Sequence, residues 1–212
     1  MTSTILLGTD THAQRSEFDC PPADPFPLFH QWVAAAVERG VPASSTLVSA
    51  LATADAAGRA SNRVVRALEM DNQGLVFTSH LASQKGRDIT ETGWASALLW
   101  WPQTKQQVII SGRVEQLPDA VADTLWSSRP LAVQAMSASC VQSAPLADEE
   151  SIRSAARRRA ESGRPLPRPA GWLAYRLVPA VIEFWQNSPD GLHRRLRYDR
   201  VASGWAATRL QP

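Results

Sequence analysis

The sequence predicts a mainly β protein, an antiparallel barrel with helices confined to its flanks and to one insertion. Three observations carry this expectation. Roughly eight short runs of apolar and β-branched residues recur between turn residues. Helical spacing is found near the N-terminus and again in the middle, and is absent from the strand-like segments. At 212 residues the chain is long enough to bury one full core, and no internal repeat divides it.

Taken in order, Met1 to Pro22 is polar and unpatterned and is expected to form a flexible tail ahead of one domain over residues 23–212. Asp24 and Pro25 read as N-cap and first residue of a helix in which Phe29, Trp32, Val33, Ala36 and Val37 repeat at helical spacing before Gly40. From Ser45 the period changes, giving strands over Thr46 to Thr53 and Asn62 to Leu68 around a turn at Ala56–Arg59. Asp71-Asn72-Gln73-Gly74 is a second turn, so Arg63 to Lys85 is expected to be a hairpin returning through Leu75-Val76-Phe77. Ser83 N-caps a short helix beginning Gln84-Lys85-Gly86. Strands follow at Ala95–Trp101 and Gln106–Glu115, then helices at Asp119–Ser128 and Asp148–Glu161. After the stiff Pro165-Leu166-Pro167-Arg168-Pro169 connector come strands at Trp172–Val178, Val181–Trp185, His193–Tyr198 and Trp205–Leu210.

Composition excludes several function classes. The formal charge is +2, and the one basic run, Arg157-Arg158-Arg159, ends a helix that opens on Asp148, Glu149 and Glu150, so nucleic acid is not expected as a partner. Cys20 and Cys140 lack metal-ligand spacing, and His12, His30, His80 and His193 are scattered, so no metal site is expected. No Walker loop, G-x-G-x-x-G, G-x-S-x-G or H-E-x-x-H occurs. No signal peptide and no membrane-length apolar segment is read, which places the expected protein in the cytoplasm.

What remains points to an anion beside a flat ring. Arg63 can grip a phosphate bidentately, Ser79 offers a hydroxyl, and Lys85 sits in the first turn of a helix. The same residues also fit solvated charges on a hairpin rim. Gln107, in Lys105-Gln106-Gln107-Val108, can read the mixed donor and acceptor edge of a heteroaromatic ring, or face water from an edge strand. Trp185, His193 and Arg195 cluster around one turn, where a Trp can shield a planar ligand or simply be buried in a hairpin. Glu183 fits a base or, more simply, an ion pair with a neighbouring Arg.

In order along the chain, R-V-V, F-T-S with S-Q-K, Q-V-I-I-S-G, S-R-P, Q-S, I-E-F-W-Q, L-H-x-R and R-L-Q-P resemble the pyridoxamine-phosphate oxidase superfamily of FMN-binding split β-barrels, from Leu47 to Pro212. The resemblance implies a homodimer with FMN between subunits. It places the FMN phosphate on Arg63, Ser79 and Lys85, and further flavin contacts on Val64, Val65, Arg66, Thr78, Gln84, Gln107, Gln142, Ser143, Trp185 and Arg195. Gln84 departs from the Arg usual there, which removes one positive partner of the phosphate.

The substrate side departs further. Where the vitamin-forming oxidases hold their substrate's phosphate with a Lys, a Tyr, an Arg and a Ser, this chain has Leu68, Leu125, Arg129 and Val133, and R-L-H becomes Gly191-Leu192-His193. Burying a phosphate beside Leu and Val without donors is prohibitive, so a flatter, more apolar substrate is expected. The pattern resembles the flavin oxidases of bacterial phenazine biosynthesis. It implies oxidation of hexahydro- or tetrahydrophenazine carboxylates by hydride transfer to flavin N5, with O2 as acceptor giving H2O2; His193 and Arg129 are the candidates for substrate contact, with Arg129 alternatively capping the helix before Pro130. The alternatives are a pyridoxine/pyridoxamine 5'-phosphate oxidase with altered ligands, and a non-catalytic flavin-binding protein.

Overall fold

Nine strands and six α-helices make up residues 16–212, the part of the chain that the computed structural model describes. The strand order is β2-β1-β5-β6-β7-β4-β3, with β8 pairing β7 and β9 pairing β8. The strands are β1 (Val48–Ala54), β2 (Ala60–Arg66), β3 (Glu69–Asp71), β4 (Gly74–His80), β5 (Trp94–Trp101), β6 (Gln106–Gln116), β7 (Trp172–Gln186), β8 (Arg194–Val201) and β9 (Gly204–Leu210). The helices are α1 (Ser16–Asp19), α2 (Pro25–Glu38), α3 (Gln84–Thr92), α4 (Asp119–Ser127), α5 (Leu131–Ser139) and α6 (Glu149–Glu161). The mainly β, antiparallel expectation holds, and the chain divides into two compact units.

The first unit joins the segment ending at Thr46 to Leu98–Ile110 and Ala180–Pro212. Helix α2 starts as its sequence requires: the Asp24 carboxylate accepts from the Phe26 N–H at 3.0 Å and Pro25 takes the first position. Its apolar stripe puts Trp32 edge-on to Phe184 of β7 at 5.1 Å, and Phe184 in turn meets Tyr198 of β8 at 5.9 Å. The Tyr198 hydroxyl donates to Pro22 O at 3.1 Å, and the Trp32 indole donates to Glu17 at 3.1 Å. Phe18 of α1, within the stretch expected to be a tail, is fully buried; residues 1–15 of that stretch lie outside the described residues.

The second unit comprises Leu47–Ala97 and Ser111–Pro179. Leu51, Leu75 and Phe77 are fully buried, with Phe77 stacked on Tyr175 at 5.5 Å. An apolar cluster gathers Ala122 and Trp126 of α4 with Trp172 and Ala174 of β7, and the Trp126 indole donates to Leu166 O at 2.7 Å.

Three expectations change. The Arg63–Lys85 stretch is not a hairpin of β2 with β4: β2 pairs β1, with Arg63 opposite Leu51, while the Asp71–Gly74 turn joins β4 to the three-residue β3. The chain leaves β2 at Ala67, whose N–H goes to Leu47 O. Helix α5, unread in the sequence, forms from Leu131-Ala132-Val133-Gln134-Ala135-Met136 directly after Pro130. The two strands expected at 172–178 and 181–185 are one, β7, which pairs β4 through Trp172–Leu177 and β8 through Val181–Gln186. Pro179 falls where the strand changes partners, so its missing N–H interrupts neither ladder.

Candidate functional site

In the second unit, β2, β4 and α3 bring together Arg63, Ser79, Gln84 and Lys85. Ser83 caps α3 as expected: its hydroxyl accepts from the Gly86 N–H at 3.1 Å and lies 3.0 Å from the Ser79 hydroxyl. The helix start sits hard against the loop before it, because a Cβ on Gly86 would fall inside van der Waals distance of the Leu81 and His80 carbonyls. Ser143, held at φ 69°, accepts from the Gln84 N–H at 3.2 Å, which brings the distant Gln142-Ser143 pair to the same helix end.

Charge in this cluster is unbalanced. Lys85 is buried, its ammonium reaches no acceptor closer than the Ser83 hydroxyl at 3.5 Å, and it has no carboxylate partner among the described residues. Burial, and then the neighbouring Arg63 charge, push the Lys85 pKa down. Arg63 donates to Leu51 O, to Thr53 Oγ1 at 2.7 Å and to Ser61 Oγ at 2.6 Å, and its own pKa is lowered by burial against the partial relief of Asp88 at 3.9 Å. For Asp88, burial alone would raise the carboxyl, but hydrogen bonds from Thr53 (2.5 Å), Gln84 (2.7 Å) and Ser61 (3.1 Å), together with Arg63, hold it below its ordinary value. A buried ammonium and a half-buried guanidinium therefore stand together at a helix N-terminus, and among the described residues only the guanidinium has a carboxylate, Asp88, within reach. An ammonium, a guanidinium and two hydroxyls at such a place form the donor set of a phosphate site.

Val64 and Arg66 are exposed on the opposite face of β2 from Arg63 and Val65, so the structure does not gather the whole predicted set on one face. Thr78 is half-buried next to Ser79, and Gln142 is exposed. His80 and Arg129 are further members. Burial, then Arg129 and Lys85, keep the His80 imidazole below its usual pKa, and its Nε2 is buried without a hydrogen bond. Arg129 lies over Trp126 and Trp172, 5.5 and 5.2 Å from the ring centroids, donates to Ser137 at 3.1 Å, and has its pKa lowered by burial.

The first unit holds the ring-binding candidates in a row. Trp185 lies opposite Arg195 in the β7–β8 ladder. The Asn187 N–H donates to Lys105 O at 3.1 Å, which sets Gln107 opposite Trp185 across the antiparallel β6–β7 pair. Gln107, Trp185 and Arg195 thus share one face, and the His193 and Trp100 rings stand 4.8 and 6.2 Å from that of Trp185. His193 Nδ1 accepts from the Ser188 N–H at 3.2 Å, which leaves Nε2 as the protonated nitrogen. The Arg195 Nε–H donates to Glu183 at 2.7 Å, so Glu183 is the ion-pair partner rather than a base.

Sequence reasoning missed Thr53, Ser61 and Asp88. The one local signal for Asp88 is its position four residues after Gln84, on the same helix face.

A family model for pyridoxamine 5'-phosphate oxidase matches residues 37–172, and one for the pyridoxine 5'-phosphate oxidase C-terminal dimerisation region matches residues 172–212. The chain belongs to the pyridoxamine 5'-phosphate oxidase family. Within that family it is 46% identical to a dihydrophenazinedicarboxylate synthase of Pseudomonas chlororaphis, over 99% of this chain and 93% of that one. A pyridoxine/pyridoxamine 5'-phosphate oxidase of Burkholderia thailandensis is 36% identical, over 99% and 100% of the two chains. The crystal structure of PhzG from Burkholderia lata, in complex with tetrahydrophenazine-1-carboxylic acid, superposes with a TM-score of 0.91 at 43% identity, covering 95% of this chain and 98% of that one. The fold is therefore the family's split β-barrel, as expected from the ordered motifs. No described helix is long and apolar enough to cross a membrane.

Proposed function

We propose that this chain is a cytoplasmic FMN-dependent oxidase of phenazine biosynthesis, working as a homodimer with FMN at the subunit interface and oxidising hexahydro- or tetrahydrophenazine carboxylates. The observation that carries the cofactor is the buried Lys85 ammonium, which has no carboxylate partner among the described residues, beside Arg63, whose one carboxylate is Asp88. The likeness to dihydrophenazinedicarboxylate synthases and to the tetrahydrophenazine complex supports the substrate class.

Bound FMN would supply the hydride acceptor and the route for two electrons to O2, with H2O2 as the product. The chain's own part is to hold and orient. Arg63, Ser79 and Lys85 neutralise the FMN phosphate, Gln107 and Arg195 meet the polar edge of its ring, and Trp185 gives that ring a flat apolar neighbour. Arg129, braced over two indoles and using one N–H on Ser137, turns its remaining donors to the substrate carboxylate. His193 offers Nε2–H as a second donor. Leu68, Leu125 and Val133 offer no donor to a substrate phosphate, which disfavours pyridoxine phosphate and suits a carboxylated tricycle. Aromatisation drives the reaction, so orientation is the main catalytic demand.

The test is anaerobic. A reduced phenazine carboxylate should bleach the flavin absorbance of the FMN-loaded protein, and air should restore it. Bleaching by pyridoxine 5'-phosphate alone would assign the chain to the vitamin-forming oxidases, and bleaching by neither would leave a flavin carrier.

A further inference from the structure

Of the residues in the ring-binding row, Arg195 is the one whose side chain is fixed from two directions by its own chain. Its Nε–H donates to the Glu183 carboxylate at 2.7 Å, and one Nη1–H donates to the backbone carbonyl of Gln211 at 3.1 Å. Glu183 is 7% exposed. A carboxylate that far out of water is costly to keep charged unless it is paired, and Arg195 is the partner it has. Arg197, opposite Glu183 in the ladder, is engaged instead with Asp199, to which its Nε–H donates at 2.9 Å. Glu183 and Trp185 are two residues apart on β7 and therefore face the same side. The carboxylate thus holds Arg195 from the face that also carries Trp185 and Gln107.

A guanidinium has five N–H groups in a rigid fork, so fixing Nε and one Nη1 hydrogen fixes the direction of the rest. We infer that Glu183 and the Gln211 carbonyl are positioning groups: they aim the remaining Arg195 donors, chiefly Nη2, at an acceptor on the flavin ring. Gln211 thereby belongs to the cofactor site through its backbone carbonyl. Arg195 touches the flavin, while Glu183 and Gln211 act through Arg195. This rests on the FMN reading above.

The test is FMN affinity, read by quenching of flavin fluorescence in four proteins: wild type, Glu183→Gln, Arg195→Met and the double variant. Glu183→Gln keeps the shape of the side chain and removes its charge, and is expected to weaken FMN about tenfold. In the Arg195→Met background the same change should have almost no further effect, because its route of action is gone. A polypeptide ending at Leu210, whose body is otherwise untouched, should also bind FMN several-fold more weakly and supplies a result even if Glu183→Gln folds poorly. Affinities within twofold of wild type in both Glu183→Gln and the shortened chain would overturn the inference, as would an undiminished Glu183→Gln loss on the Arg195→Met background. A wild-type protein that binds no FMN would instead overturn the cofactor reading, and the inference with it.

Discussion

Replacing Lys85 with Met should move stability and cofactor affinity in opposite directions. Lys85 is buried, its ammonium has only a 3.5 Å contact with Ser83, and Arg63 is close enough to lower its pKa. Met keeps the length of the side chain and removes the charge, so the protein without FMN should gain about 1–3 kcal/mol, the usual scale for relieving an uncompensated buried charge. With FMN bound the same ammonium would make charge-assisted hydrogen bonds to phosphate, and losing them costs about 1.5–3 kcal/mol, or roughly 10- to 150-fold in affinity. Melting with and without FMN separates the two. At an FMN concentration 100 times the wild-type Kd, wild type should gain about 2.7 kcal/mol and Lys85→Met only about 0.3–1.4 kcal/mol. A variant less stable than wild type without FMN, and stabilised as much as wild type by FMN, would refute the assignment of Lys85 to an anion.

Gly86→Ala forces a Cβ into the Leu81 and His80 carbonyls, so it should lower the denaturation midpoint and weaken FMN together, because the start of α3 must shift. His80 has a folded pKa below 6.5, so the unfolded chain binds the extra proton first; stability should be steady above about pH 6.5 and fall as pH drops through it, and His80→Gln should flatten that acid limb in pH-resolved denaturation. Tyr198 behaves in the opposite sense. Burial, with Asp24 and Glu17, raises it from 10.0 to about 12, so its contribution is intact below pH 10.0 and lost as pH rises towards 12. Tyr198→Phe should remove that alkaline loss, while costing about 1 kcal/mol at neutral pH for the bond to Pro22 O.

The start of α3 was legible in the sequence, since Ser83 caps it and Lys85 falls in its first turn, whereas the assignment of Arg63, Ser79 and Lys85 to a phosphate came from the resemblance, because the residues alone fit a solvated hairpin rim as well. The ring-binding row was legible only through resemblance, since nothing local says that Gln107, Trp185 and Arg195 stand side by side on three adjacent strands. Asp88 was illegible for a similar reason. Its helix reads as polar, and its burial comes from Thr53 and Ser61 on strands β1 and β2, about thirty residues earlier. The hairpin error was one of pairing: the turn at Asp71–Gly74 was right, but Ala67 carries the chain out of β2, and only the short β3 returns against β4. Helix α5 was missed because its small residues give no strong apolar stripe, and it is defined instead by Pro130 at its start and by packing against α6.

The most direct measurement is a crystal structure of the protein grown with FMN. The account predicts phosphate oxygens within about 2.7–3.2 Å of both the Lys85 ammonium and the Arg63 guanidinium. Ordered FMN whose phosphate lies elsewhere, with Lys85 still reaching only Ser83, would contradict it.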